Sequence, residues 1–325
     1  MSETEQDAFE EHRPMLEGLA YRMCGVLADA QDIVQETHIR WCSADRSGIG
    51  NPRAWLVTVC SRLAMDLMKS ARVRREQYVD TWLPEPFLES PGNSPDAQAR
   101  IDDSVSVALM LAMERLTPSE RAAFLLHDVF GYDFSEIASI IGKSEAVCRK
   151  SASRARKAVR ENRPRFAATP GTHRQLLNAF FEAVRGGDPE NLKALLTESV
   201  ELHSDGGGRV RTASSVLHGR EAVAAFFLEV WRENVPSRES VRIVHQWFNG
   251  QPGVLIYQDN QLQVALCLSI DGDKISHLFA LRNPGKLSVF RAPLETCLSA
   301  VVDRERDLPS PGGGSDGSVR GGPCR

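Results

Sequence analysis

The spacing of apolar positions predicts a set of helices over about residues 9 to 76. Within Gln31–Ser43, one helical face collects Ile33, Val34, Thr37 and Trp41. Pro52 suits the first turn of a longer helix, whose buried face is predicted to hold Trp55, Leu56, Val59, Leu63 and Leu67. The exposed stripe of that helix is predicted to hold Thr58, Arg62, Met65 and Lys69.

Strong helix signals return between about residues 103 and 163. The sequence T-P-S-E at 117–120 is a capping box with proline at the first helical position, and Asp133 and Glu136 begin the next helix as a second capping box. Ser144 caps a third helix just after Gly142. Two helices joined by a short glycine-containing turn, the second of them basic, indicate a helix-turn-helix.

After residue 172 the pattern changes to a mixture of helices and strands. Helices are predicted at about 173–185, 189–197 and 219–232, and a strand at 200–204. Four more strands are predicted at Val241–Phe248, Gly253–Gln258, Gln261–Ile270 and Lys274–Leu281, with turns at Asn249-Gly250 and Asp271-Gly272. Helices followed by an antiparallel meander predict an α+β domain.

Charge is distributed unevenly along the 325 residues. The formal net charge of −4 argues against a protein that coats nucleic acid. Basic residues nevertheless dominate from Lys143 to Arg165, whereas the preceding connector from Asp80 to Asp103 is mainly acidic. The basic segment coincides with the second helix of the helix-turn-helix, which favours local contact with DNA.

The remaining composition excludes several classes of protein. Seven cysteines without a C-x-x-C pair disfavour a zinc site and a disulfide scaffold, so no metal or cofactor is expected. The N-terminus is acidic and lacks the apolar run of a signal peptide. No stretch approaches the roughly 20 apolar residues that cross a bilayer. We therefore expect a cytoplasmic protein without a membrane partner.

Three segments together resemble the extracytoplasmic-function sigma factors of bacterial RNA polymerase. The sequence D-A-Q-D-I-V-Q-E-T at 29–37 is similar to the part of sigma region 2 that docks on the clamp helices of core polymerase. The segment from Asn51 through Arg75 resembles the helix that melts and reads the minus-ten element. The segment from Leu116 through Arg160 resembles region 4, which reads the minus-thirty-five element and touches the polymerase flap.

The resemblance implies which residues meet each partner. Core RNA polymerase is expected to contact Asp32, Gln35 and Glu36, with Gln31 beside them. Promoter DNA is expected to contact Ser61, Arg62, Met65, Lys69, Arg72, Arg74 and Arg75 in region 2. In region 4, base or groove contacts are expected from Glu145, Arg149 and Lys150, and phosphate contacts from Arg154, Arg156 and Lys157.

Three short motifs are similar to those of the sigma subgroup that carries a SnoaL-like C-terminal extension. The linker motif W-L-P-E-P is formed by Trp82, Leu83, Pro84, Glu85 and Pro86. A second motif, D-G-G-G-[KR], is formed by Asp205, Gly206, Gly207, Gly208 and Arg209. The third, N-P-D-K-L, is present as Asn283, Pro284, Gly285, Lys286 and Leu287, so glycine replaces its aspartate.

The expected architecture is multi-domain, with two all-α sigma domains followed by an α+β SnoaL-like cone with an antiparallel sheet. Region 2 is a helical bundle over 9–76, and region 4 is a helix-turn-helix domain over 103–163. Linkers are expected over 77–102 and 164–172, because the first is rich in proline and the second in proline and glycine. The SnoaL-like regulatory domain is expected over 173–290, and a disordered tail over 303–325.

Other functions remain open at this point. SnoaL-like domains resemble cyclases and isomerases, so a proton shuttle is conceivable from His203, Asp205, His218 or His277. Fold analogy alone does not carry chemistry, and a pocket for an unidentified small molecule without turnover is favoured over catalysis. A one-component helix-turn-helix regulator with a ligand-sensing domain is the main alternative. The region 2-like segment at 29–37 argues against it.

The linker motif suggests how the extension acts. Trp82 and Leu83 are too apolar to remain in water without a partner, and the neighbouring prolines hold the segment extended. The two glycine- or proline-marked loops at 205–209 and 283–287 can approach such a segment closely. We expect the SnoaL-like domain to dock on the sigma half and control the spacing of regions 2 and 4.

Overall fold

Helices form the N-terminal part of the computed structural model, which describes residues 3–76, 78, 81–88, 106–161, 169–234 and 241–290. They are α1 (Glu3–Cys24), α2 (Leu27–Ser43) and α3 (Pro52–Glu76). Gly25 has a φ of 71°, which allows the tight turn between α1 and α2. The predicted buried face of α2 is confirmed, because Ile33, Val34, Thr37 and Trp41 are buried.

A second group of helices follows the linker. It contains α4 (Val107–Glu114), α5 (Pro118–Phe124) with a π-helical turn after it (Leu125–Val129), α6 (Phe134–Ile141) and α7 (Glu145–Glu161). Both predicted capping boxes are present, at Thr117 and at Asp133. Gly142, with a φ of 72°, ends α6 in the left-handed conformation. The pair α6 and α7 is the predicted helix-turn-helix.

The buried face of α3 differs from the sequence prediction. Met65, expected on the exposed stripe, is buried, whereas Trp55, Val59, Leu63 and Leu67 are only partly buried, so Leu56 alone of the five predicted core residues is buried. The core residues of α3 are Leu56, Val57, Cys60, Ala64, Met65 and Met68. The prediction was wrong because it assumed a single buried side, whereas α3 packs on α1 and α2 and also on α5 and α6. Both helical groups therefore share one apolar core.

Arg121 of α5 lies inside this shared core. Its side chain is fully buried, and its Nε donates to the carbonyl of Arg22 at the end of α1, 2.9 Å away. Nη1 pairs with Glu114 at 2.6 Å. The guanidinium thus links the two helical groups through the carbonyl of Arg22, while its ion pair with Glu114 lies within the second group.

Helices and a single sheet form the C-terminal part. The elements are α8 (Pro170–Gly186), α9 (Pro189–Ala194), β1 (Leu196–Asp205), β2 (Leu217–His218), α10 (Arg220–Asn234), β3 (Val241–Phe248), β4 (Gln251–Gln258), β5 (Gln261–Asp271), β6 (Lys274–Leu281) and α11 (Pro284–Leu287). The strand order is β2-β1-β6-β5-β4-β3. The predicted α+β class is confirmed. The sheet is mostly antiparallel, and the parallel pairing of β1 with β6 was not predicted.

The two faces of this sheet have different partners. Apolar side chains of one face pack with α8, α9 and α10 in a second core. Because neighbouring residues of a strand point to opposite faces, Glu201, His203 and Asp205 of β1 lie on the other side, here called the outer face. His277 and Phe279 of β6 pair with Glu201 and His203 on the same side. The outer face is the one that meets the linker.

Residues up to Leu287 form one compact body, and the described residues after it form one 3₁₀ turn, Ser288–Phe290. The predicted tail at 303–325 and most of both predicted linkers lie outside the described residues. Within the described ranges, no helix is long and apolar enough to cross a membrane.

Replacement of Arg121 by alanine should destabilise the chain strongly. The change removes the partner of Glu114 and leaves the carbonyl of Arg22 without this donor, and breaking a buried pair costs about 3–5 kcal/mol. Urea unfolding measures the change in the free energy of unfolding. The matched control is Arg40→Ala, which breaks the exposed pair with Glu36 and should hardly move the midpoint. Equal midpoints for both variants would contradict the role of Arg121.

Candidate promoter, polymerase and interdomain sites

The predicted polymerase-binding residues lie on the exposed side of α2. Asp32 and Gln35 are exposed, and Glu36 is bonded to Arg40 at 2.8 Å. The structure thus brings the three predicted residues together on one helix face that the rest of the described chain leaves open. Ile39 lies on the same side with half of its surface exposed.

The predicted minus-ten residues are arranged differently. Arg62 donates from Nε to the carbonyl of Ile140 at 2.9 Å and from Nη2 to that of Ser139 at 3.0 Å, at the C-terminal end of α6. A helix C-terminus carries partial negative charge, which favours a cation there. Ser61 and Met65 are buried, while Lys69 is exposed and pairs with Asp66 at 2.7 Å.

Three further predicted DNA contacts occupy the last turns of the same helix. Arg72, Arg74 and Arg75 belong to α3 by backbone conformation. Their side chains lie outside the described residues.

The basic residues of α7 divide into two sets. Arg149 is tied to Glu145 at 2.7 Å, with its guanidinium over the ring of Phe134, and Arg156 is tied to Asp128 at 2.7 Å. The second set points away from the buried stripe of the helix and consists of Lys150, Arg154 and Lys157. Arg154 and Lys157 also have acidic neighbours, Glu120 at 3.8 Å and Glu161 at 3.9 Å, and Arg149 is itself 61% exposed, so the outward cations of α7 are not confined to the second set.

The carboxylate of Asp205 is the centre of the contact between the linker and the SnoaL-like domain. Oδ1 accepts hydrogen bonds from the Tyr78 hydroxyl at 2.7 Å and from the Gly207 amide at 2.9 Å. Oδ2 accepts from the Leu83 amide at 3.0 Å and from Lys286 Nζ at 2.7 Å. Asp205 is completely buried, and all four donors keep its negative charge solvated by protein groups.

Lys286 completes the same contact. Its ammonium also donates to the carbonyl of Leu83 and lies 4.6 Å from the ring centre of Trp82 and 5.4 Å from that of Tyr78. The side chain is almost fully buried, so the aromatic rings and the carboxylate replace water around its charge. The linker and the SnoaL-like domain therefore share the partners of one buried ion pair.

The other side of the linker motif contacts α1 and α2. A Cβ atom at Gly25 would come within 2.7 Å of Trp82 Cη2, so only glycine leaves room for the indole. Glu85 accepts from the amide of Leu27 at 2.7 Å, at the start of α2, where a carboxylate is favoured. The Glu85 amide donates to Gly25 at 3.0 Å, and the Tyr21 hydroxyl donates to the Glu85 carbonyl at 2.7 Å.

Asn249 is an interdomain residue that sequence reasoning missed. Its side chain donates to the Tyr21 hydroxyl at 2.7 Å and accepts from the Phe87 amide at 3.1 Å, and its own amide donates to the Phe87 carbonyl at 2.9 Å. Burial raises the pKa of the Tyr21 phenol. The sequence indicated only a turn at this position, because an Asn-Gly pair gives no sign of what the turn touches.

The two loop motifs shape this contact. Gly207 is left-handed with a φ of 66°, and a Cβ there would collide with Asn283, whose Nδ2 donates to Tyr78 at 2.9 Å. Gly206 and Arg209 form a turn, and Gly208 is also left-handed. Pro284 begins α11 and Leu287 is buried. Gly285, which replaces the motif aspartate, donates its amide to Asn283 Oδ1 at 3.0 Å.

Histidines considered for catalysis surround Glu201 on the outer face. The carboxylate of Glu201 lies 2.9 Å from His203 Nε2, 3.3 Å from His218 Nδ1 and 4.0 Å from His277 Nε2. Burial lowers the pKa of His203 and of His277 below the ordinary range. Asp205, the remaining candidate for a proton shuttle, has both oxygens engaged as described above.

Replacement of Asp205 by asparagine should release the linker. Lys286 would lose its buried counter-charge, and the Leu83 amide would lose an anionic acceptor. Hydrogen exchange of the peptide over 81–88 should become at least tenfold faster, as measured by mass spectrometry. Asp66→Asn is the control, because Asp66 is exposed and pairs only locally with Lys69. Unchanged protection of Leu83 in the first variant would contradict the assigned role.

The two buried histidines should make stability depend on pH. Because folding lowers their pKa values, the unfolded chain binds more protons at and somewhat below pH of about 6.5. Their contribution is complete above that pH and is lost as the pH falls toward the folded values. Urea midpoints between pH of about 7.5 and 5.5 should fall less steeply for His203→Gln than for the unaltered chain. His218→Gln, with its exposed ring, is the control, and parallel slopes would refute the prediction.

Comparison with known proteins agrees with this arrangement. Family models match residues 8–74 as sigma-70 region 2, 106–159 as sigma-70 region 4 and 177–261 as a SnoaL-like domain. The chain is 36% identical over 293 residues to the sigma factor SigJ of Mycobacterium tuberculosis, covering 87% of this chain and 93% of the relative. It is also 36% identical over 289 residues to the probable sigma factor SigI of the same species, covering 88% and 96%.

The structural comparison covers all three parts at once. The crystal structure of M. tuberculosis SigJ superposes with a TM-score of 0.69 at 32% identity, covering 88% of this chain and 98% of that one. These relatives are sigma factors, which sets aside the one-component regulator as the reading of the whole chain. The chain belongs to the extracytoplasmic-function sigma factors of RNA polymerase that carry a C-terminal SnoaL-like domain.

Proposed function

We propose that this sigma factor rests in a closed form, in which region 4 covers the minus-ten face of region 2, and that promoter recognition requires the two regions to separate. The observation that carries the proposal is the pair of bonds from Arg62 to the carbonyls of Ser139 and Ile140. Arg62 cannot hold α6 and promoter DNA with the same donors. Ser61 and Met65, two further expected minus-ten contacts, are buried in this form.

The proposed division of labour follows the domains expected from the sequence. Region 2 (9–76) binds core polymerase through Asp32, Gln35 and Glu36, and melts the promoter through α3. Region 4 (103–163) reads upstream DNA through α7. The polymerase-binding face and the outward cations of α7 are exposed in the closed form, whereas on the minus-ten face Ser61 and Met65 are buried and the donors of Arg62 are engaged by α6. The sigma factor therefore docks on core polymerase before regions 2 and 4 separate. Both steps take place in the cytoplasm, where polymerase acts on DNA.

The SnoaL-like domain (173–290) maintains the closed form by holding the linker against region 2. Asp205, Lys286 and Asn249 grip the segment from Tyr78 to Phe87, whose other side contacts Tyr21 and Gly25. Release of residues 77–88 would add them to the free tether between regions 2 and 4. The maximum length of that free tether would grow by up to about 40 Å, at roughly 3.3–3.6 Å per extended residue. A longer tether lowers the effective concentration of region 4 at α3.

Replacement of Lys286 by methionine should open the chain and raise its activity. Methionine keeps an unbranched apolar stem, but Asp205 then lacks its counter-charge, so docking weakens by more than tenfold. Small-angle X-ray scattering should show a larger radius of gyration. The free variant should bind a single-stranded minus-ten oligonucleotide, taken from a promoter mapped with this holoenzyme, at least severalfold more tightly.

Lys274→Met on β6 serves as the matched control, because Lys274 lies at a hairpin end away from the linker. Trp82→Ala should act in the same direction as Lys286→Met, since it removes the ring between Gly25 and Lys286. If Lys286→Met expands the chain without improving oligonucleotide binding, region 4 does not occlude the minus-ten face. Loss of transcription with intact core binding would show that docking supports initiation instead of restraining it.

A further inference from the structure

Two large apolar side chains are strongly exposed among the described residues, and both lie on faces assigned to macromolecular partners. One is Ile39 on α2, and the other is Val147 in the first turn of α7, 43% exposed. The surroundings of Val147 are otherwise charged or small, since Glu145, Ala146, Arg149 and Lys150 are its exposed neighbours. A single exposed valine needs no explanation by itself, so its position on the helix decides the argument.

Local structure fixes where Val147 points. Its amide donates to Ser144 Oγ at 3.4 Å, which holds the first turn of α7 in place. Cys148, the next residue, is buried in the shared core, so Val147 is turned about 100° away from the buried side of α7. Valine is also stiff about χ1, so its methyl groups lose little freedom on contact.

Helical spacing places Val147 on the same stripe as two cations. Lys150 and Arg154 follow it by three and seven residues, and all three side chains lie outside the buried stripe of Cys148, Ala152, Ala155 and Val159. Arg149 lies off this stripe, where it is paired with Glu145 and stacked on Phe134. The outward face of the first turns of α7 therefore carries an apolar group followed by two cations.

We infer that Val147 is a specificity-determining residue of promoter recognition, which contacts the C5-methyl group of a thymine in the major groove of the upstream promoter element. The C5-methyl of thymine is the apolar feature of the major-groove edge, and apolar side chains recognise it. Recognition helices enter the groove with their N-terminal residues, which is where Val147 lies. Lys150 and Arg154, about one and two turns further along the same helix, hold the DNA next to this contact.

The inference rests on region 4 reading DNA through α7 and does not depend on the closed form. One buried methyl contact corresponds to about a three- to tenfold change in affinity. That size is large enough to select one base and small enough to leave binding measurable when it is lost. A contact of this kind predicts sensitivity to a single methyl group at a single base pair.

Deoxyuridine in place of thymine tests this directly, because it pairs as thymine does and lacks only the C5-methyl. The full chain is bound to core polymerase, and the promoter is one whose start was mapped with the same holoenzyme. Each thymine of the upstream element is replaced in turn, and the affinity of holoenzyme for duplex DNA is measured by competition. At one position the replacement should lower affinity three- to tenfold for the unaltered chain.

Val147→Ala should lower affinity for the thymine duplex by the same factor and should show no further loss with deoxyuridine at that position. Val147→Ile, which keeps the branched methyl, should retain the sensitivity. Ser215→Ala is the control, because it truncates an exposed side chain of the SnoaL-like domain and should leave every deoxyuridine effect unchanged. Thermal unfolding should be the same for all three variants, since both positions are exposed.

Equal deoxyuridine effects in the unaltered chain and in Val147→Ala at every thymine would overturn the inference. So would a loss of affinity for core polymerase without DNA, because Val147 would then face the polymerase flap. Lys150→Ala distinguishes a failure of the methyl contact from a failure of α7 as the reading helix. If it too leaves promoter affinity unchanged, the assignment of α7 as the reading helix fails; if it weakens binding while Val147→Ala does not, only the methyl contact fails.

Discussion

The buried pair of Asp205 and Lys286 is the interaction on which the arrangement of this chain depends. Neither charge is satisfied by the SnoaL-like domain alone, because the Leu83 amide, the Leu83 carbonyl and the Tyr78 hydroxyl all come from the linker. A buried ion pair gains little over an apolar contact of the same size, but a broken one is costly. The pair therefore adds little to the strength of the contact. Its main effect is that both charges are satisfied only when this linker segment is docked.

The composition of the linker motif follows from this condition. An extended segment held between two domains must satisfy its backbone amides on both sides. Pro84 and Pro86 carry no amide proton, so they reduce the number of donors that need partners. The amides of Leu83 and Glu85 find Asp205 and Gly25, on opposite sides of the segment. Each residue of the W-L-P-E-P motif thus contributes to a segment that contacts region 2 on one side and the SnoaL-like domain on the other.

Local signals in the sequence were enough to predict the elements but not their contacts. The capping boxes at Thr117 and Asp133 and the ends of β3 and β6 depend on neighbouring residues, and the structure has them as predicted. The buried face of α3 depends on a second domain, and no helical period can state which sides will be covered. The parallel pairing of β1 with β6 joins strands far apart in the chain, beyond the reach of turn rules.

The same distinction applies to the candidate sites. Resemblance to short sequence motifs pointed to Asp205 and Lys286, because each residue lies within one of those motifs. Asn249 escaped, because its two interdomain bonds use a turn residue whose local role is already sufficient to account for its presence. The sequence thus reveals the role of Asn249 in the turn but not its role between the domains.

The hydrogen bonds of Arg62 explain how the proposed closed form can still open on promoter DNA. In the closed form its guanidinium meets two carbonyl oxygens at a helix C-terminus, and on promoter DNA it would meet oxygen or nitrogen acceptors of similar strength. Arg62 is hydrogen-bonded in both forms, so the cost of opening lies in the apolar contacts between α3 and the α5–α6 pair and in the buried bond from Arg121 to the carbonyl of Arg22. In the proposed closed form, the docked linker favours those contacts by keeping region 4 close to α3. The domain that holds the linker can therefore bias the equilibrium without touching DNA, polymerase or α3.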